Sequence, residues 1–125
     1  MKASLNNLHH QDIDWLRELD FYREEIATLV SRLEEVASKN TGKEVVAQVE
    51  HFQNEFIMLR EQLDILHHDI KTRENEVEAV AKERPEHIDE HFKTVKNKTL
   101  GRMKDFTGGF ADTRFEFNKF LAKTF

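Results

Sequence analysis

Histidine is the residue type in this 125-residue chain best suited to chemistry near neutral pH, and there are seven: His9, His10, His51, His67, His68, His87 and His91. An imidazole changes charge close to physiological pH and is the commonest metal ligand among side chains. If helices alternate in direction, His9 and His10 at the start of the first lie near His87 and His91 at the start of the third, with Glu74, Glu78, Glu86 and Glu90 alongside. Such a nitrogen and oxygen set suits zinc, iron or another divalent ion. The ordinary alternative is solvated imidazoles at helix starts. His87, Glu90 and His91 also spell H-x-x-E-H, in which two histidines one turn apart hold metal and the glutamate acts as base. Here the pattern opens a helix directly after Pro85 in a chain too small for a substrate cleft, so peptidase chemistry is not expected. Cysteine is absent, which excludes thiolate metal sites, thiol nucleophiles and disulfides. Neither a glycine-rich phosphate loop nor a serine-histidine-acid arrangement is present. The expectation is a protein without catalytic residues or a bound cofactor, the alternative being one divalent metal at His9, His10, His87 and His91.

His51, Phe52 and Glu55 form H-F-x-x-E, which resembles one piece of the pattern in hemerythrin-like di-iron bundles. The resemblance covers five residues. That family also uses an earlier lone histidine and later pairs facing one core, whereas His67 and His68 are adjacent, so no ligands are carried over. The paired E-x-x-H motifs of ferritin-like carboxylate sites are also missing.

The elements that would position these groups are legible from apolar spacing. Val45, Val49, Phe52, Phe56, Leu59, Leu63, Leu66 and Ile70 recur at intervals of four and three, a heptad seam on a long amphipathic helix over about 43–83, with Arg73 standing on the seam further on. Trp15, Leu19, Tyr22, Ile26, Leu29, Leu33 and Val36 repeat the pattern on a first helix over about 7–39, with Asn6 or Asn7 as its cap. Asn40 and Gly42 suit a helix stop, and Thr41 with Glu44 reads as a capping box. Pro85 suits the first turn of a third helix over about 85–107, with a weaker seam of Ile88, Phe92, Val95, Leu100, Met103 and Phe106. Gly108 and Gly109 then read as a break before a short fourth helix, or an extension, over about 110–123. Little turn chemistry is available for strands. The fold class expected is all-α: one domain, an antiparallel bundle of three long helices plus a short Phe-rich C-terminal helix, packed in coiled-coil fashion.

Six of the ten phenylalanines lie from Phe106 onward, and so aromatic a chain end is expected to be buried against something. Ile57, Met58 and Ile65 lie off the main seam and form a second apolar patch. With Phe110, Phe117 and Phe120 they are the expected partner interface, whether covered by the chain's own tail or by a symmetry mate. Net charge is -5, with the segment from Lys93 onward basic and the rest acidic, as when helices of opposite charge pair internally. The basic stretch Lys93 to Lys104 carries no nucleic-acid motif, and nucleic acid is not expected as a partner. Membrane binding is not expected either: Met1 to Asn7 lacks a secretory apolar run and no window approaches a membrane span of about 20 residues. These features together predict a cytoplasmic, homodimeric interaction or scaffold module that binds a protein partner.

Overall fold

Unbroken four-and-three spacing of apolar side chains over many turns favours long helices, because each needs a continuous stripe to bury. The computed structural model describes the backbone of residues 2–83 and 88–124, and the side chains of residues 7–79, 82–83 and 92–124. It contains α1 (Lys2–Lys39), α2 (Lys43–Glu83) and α3 (Ile88–Thr124), all packed against one another, with no strand among the described residues. None of the helices is long and apolar enough to cross a membrane.

Polar contacts set the register. His9 meets Glu74, Asp12 meets Arg73, Asp20 meets His67 and Arg23 meets Asp64, so residue numbers rise on α1 as they fall on α2. Between α2 and α3 the pairs are Arg73 with Thr99, Asp69 with Arg102 and Glu55 with Thr113. The core between the three stripes includes Leu19, Ile26 and Leu33 of α1, Phe56, Leu63 and Ile70 of α2, and Met103, Phe106, Phe110 and Phe117 of α3. Its aromatic part has two centres. Tyr22 packs edge-on to Phe106 and Phe110, with ring centroids 5.4 and 4.8 Å away. Phe52 and Phe56 both meet Phe117 at 5.2 Å, and Phe52 also meets Phe120 at 5.3 Å.

Three expectations about boundaries and register require correction. First, α1 begins upstream of Asn6 and Asn7, so neither caps it. At the connection, the first intrahelical bond of α2 runs from Val46 N to Gly42 O at 2.9 Å, making Gly42 the N-cap in place of Thr41. Asn40 closes α1, donating through both backbone N and Nδ2 to Val36 O.

Second, α3 does not break at Gly108 and Gly109: it is one helix of 37 residues, and no described glycine has positive φ. Two interior glycines cost roughly 1 kcal/mol each relative to alanine. The stripe of Phe106, Phe110, Phe117 and Phe120 is buried only if the helix continues in phase, and each such side chain contributes about 1.5 to 3 kcal/mol. Burial outweighs propensity, and the anticipated short fourth helix is the second half of α3.

Third, the α3 seam runs through Phe92, Thr99, Met103, Phe106, Phe110, Thr113, Phe117 and Phe120. Leu100, expected on it, is 40% exposed, and Thr99 takes the inward position because Arg73 of α2 waits there as a donor. Ile88, also expected on that seam, has its side chain outside the described residues.

Candidate functional site: a buried polar layer and an open apolar groove

All three seams carry a polar residue at the same level. Asp12 continues the spacing of Leu8, Trp15 and Leu19 and is fully enclosed. Arg73 reaches it from the α2 seam, Nη2 donating to Asp12 Oδ1, while Nη1 donates to the Thr99 hydroxyl on α3. The guanidinium thus ties the three helices together at one level, leaving Asp12 Oδ2 and Arg73 Nε unbonded among the described residues. Removal from water disfavours the Asp12 anion and pushes its pKa up to about 6, against the pull of Arg73, with Glu74 adding to the rise. Glu74 Oε1 in turn accepts a hydrogen bond from His9 Nδ1 at 2.9 Å. Asp12 has the burial and perturbed acidity typical of functional carboxylates, but the groove described below is lined by neither Asp12 nor Arg73.

The histidines are only partly brought together. His9 and His10 are exposed neighbours, with ring centroids 6.1 Å apart. His9 reaches Glu74, as the expected pairing of the helix ends requires. His87 and the side chain of His91 lie outside the described residues. Among the described residues no group of three His, Asp or Glu is placed to hold a metal ion. His67 Nε2 sits 3.2 Å from Asp20 Oδ1 across the α1–α2 boundary, and His68 Nδ1 lies 3.5 Å from Asp69. The Arg102 guanidinium beside Asp69 holds that carboxyl below its ordinary range.

The expected interface divides in two. Phe110, Phe117 and Phe120 are buried in the chain's own core, because α3 continues in phase past the glycines and lays them on Phe52, Phe56 and Leu59. That is a correction: they hold the fold together and offer no surface. The tail also leaves the off-seam patch uncovered. Ile57 is 55% exposed, Met58 63% and Ile65 58%. Phe115 stands outside as well, with the Lys119 ammonium 5.4 Å from its ring centroid.

Ile57 borders a groove of about 600 Å³ between α1 and α2. Its floor is apolar, formed by Ile26, Leu33 and Phe56 from the core, with Ala27, Val30 and Ile57 on the walls. Arg23, Glu34, Gln53, Asn54 and Arg60 rim it. Neither Arg60 nor Glu34 has an ion-pair partner among the described residues, whereas Arg23 is held by Asp20 at 3.2 Å and Asp64 at 2.8 Å. Ala27 and Ser31 are the small residues on the α1 side of the groove. Comparison of the chain with protein-family models, with curated proteins and with solved structures found no match.

Proposed function

We infer that this protein is a non-enzymatic interaction module, an antiparallel helical bundle that uses the groove between α1 and α2 to take a further helix from a protein partner. The observation that supports this most strongly is the open apolar groove beside Ile57, with half-exposed or exposed aliphatic side chains on its walls and core residues on its floor. Concave apolar strips with polar rims are how bundles recognise amphipathic helices, anchoring them at positions one turn apart. The large buried side chains serve the three-helix core, and the groove gives access to Ile26, Leu33 and Phe56 of that core from outside.

The test uses the absence of native cysteine. A photoreactive label on Ser31→Cys, at the groove, is compared in cells with the same label on exposed Glu35→Cys. Covalent adducts specific to the Ser31 position and abolished by Ile57→Glu are expected; equal labelling from both positions refutes the reading. A second reading, a divalent metal site at the His9 end, draws on the contact of His9 with Glu74.

A further inference from the structure

Resting on that reading, we propose that the groove is covered by a second copy of this chain, groove facing groove about a two-fold axis that crosses it at the level of Ile57. The rim charges argue for it. Arg23 stands level with Asp64 across the groove and Asp20 level with His67. In that register Glu34 on α1 lies level with Gln53 on α2, and Arg60 lies about 10 Å further along, at roughly 1.5 Å per residue. The unpaired anion and the unpaired cation therefore mark opposite ends of the groove, with Val30 and Ile57 between them.

A two-fold axis perpendicular to the groove reverses its direction while keeping each wall opposite its own copy. It brings the copy's Glu34 to the level of Arg60 across the groove and the copy's Arg60 to the level of Glu34, and lays the apolar middle on itself. A two-fold axis along the groove matches neither charge. Val46, 42% exposed and three turns before Ile57, extends the same apolar side.

The exposed surface is large enough for such a contact. The chain exposes 8521 Å² at a mass of 14.8 kDa, whereas folded monomers of that mass expose about 7,000 Å². The surplus of about 1,500 Å² exceeds the roughly 800 Å² that each partner contributes to a standard interface.

Sedimentation equilibrium on the purified full chain, from about 1 to about 100 µM, tests this by mass action. Twice the 14.8 kDa chain mass is expected. Arg60→Glu alone and Glu34→Arg alone should each weaken association about tenfold or more, since each places two like-charge pairs across the axis. Mixing the two variants, or combining both changes in one chain, should restore it, because either arrangement again opposes unlike charges. Far-UV circular dichroism checks that these exposed substitutions leave the fold intact. A monomer throughout the range overturns the proposal, and so does a dimer indifferent to both single reversals. If the Ser31 label still captures helices of other proteins while the purified chain is monomeric, the self-pairing fails and the interaction module stands; loss of both removes both.

Discussion

Replacing Arg73 by methionine is expected to cost about 2 kcal/mol at about pH 7.5, because it strips the cation from a carboxylate that has no access to water, and the cost is capped by protonating Asp12 about 1.5 pH units above its pKa. Asp12 is fully enclosed and its pKa is raised from 3.8 to about 6. A folded-state pKa above the unfolded one means that folding takes up a proton between those values. The contribution of Asp12 to stability is therefore fully present below about pH 3.8, is lost as pH rises to about 6 and is flat above that, and the loss is about 3 kcal/mol at 1.36 kcal/mol per pKa unit. Removing Arg73 takes away the interaction that lowers this pKa, so the window extends further upward. The penalty should be largest at about pH 7.5 and small at about pH 4, where Asp12 is protonated with or without its partner. Urea unfolding followed by far-UV circular dichroism at both pH values reads the difference against the parent chain, which cancels the titration of other carboxylates. The double change Asp12→Leu with Arg73→Met should return to within about 1 kcal/mol of the parent or exceed it, since burying apolar groups in place of an ion pair is neutral or stabilising. A penalty under about 1 kcal/mol for Arg73→Met alone, or one equal at the two pH values, refutes the coupled buried pair.

Other expectations follow from the packing. Leu63→Ala, at a fully enclosed seam position, should lower stability by about 2 to 5 kcal/mol in denaturant unfolding. Gly108→Ala should raise the melting temperature and add about 0.5 to 1 kcal/mol, because a Cβ there meets nothing within 4 Å and the helix is continuous; a loss of stability would restore the break. For the metal reading, elemental analysis of purified protein should find stoichiometric zinc or iron that is lost in a His87→Ala, His91→Ala double variant; metal-free protein with unchanged stability under chelation counts against it.

The seams of α1 and α2 were legible because apolar spacing reports burial directly wherever a helix is long and uninterrupted. Leu19, Ile26 and Leu33, and Phe52, Phe56, Leu59, Leu63, Leu66 and Ile70, all lie inside. α3 was harder for a physical reason. Local glycine propensity at Gly108 and Gly109 argued for a stop, while the phase of Phe106, Phe110, Phe117 and Phe120 argued for continuation, and only the packed structure shows that burial dominates. Phe110, Phe117 and Phe120 read as an interface because sequence cannot distinguish a surface buried by another chain from one buried by its own. Asp12 was missed since a search for apolar repeats passes over a charged residue in phase with them. The signal was nonetheless there: Arg73 sits on a seam, Asp12 continues the Leu8 and Trp15 spacing, and Thr99 follows Phe92 by one heptad. Three polar residues in phase on three stripes are a reason to look for one common level. The groove could not be read from residue types alone, since its walls use the ordinary solvent-side residues Ala27, Ser31 and Gln53.

The trio of Asp12, Arg73 and Thr99 also bears on how the rods find their alignment. Stripes that repeat every seven residues fit one another nearly as well after a slide of two turns, so hydrocarbon alone tolerates several offsets. A guanidinium drawn two turns past its carboxylate would lie among leucines and phenylalanines with nothing to neutralise it. The trio works as an alignment pin: it adds little to the depth of the correct arrangement and much to the height of the slipped ones. A variant with the pin replaced by aliphatics should therefore keep about the parent's stability or more yet give broadened or duplicated amide resonances, the mark of a chain that no longer chooses a single offset.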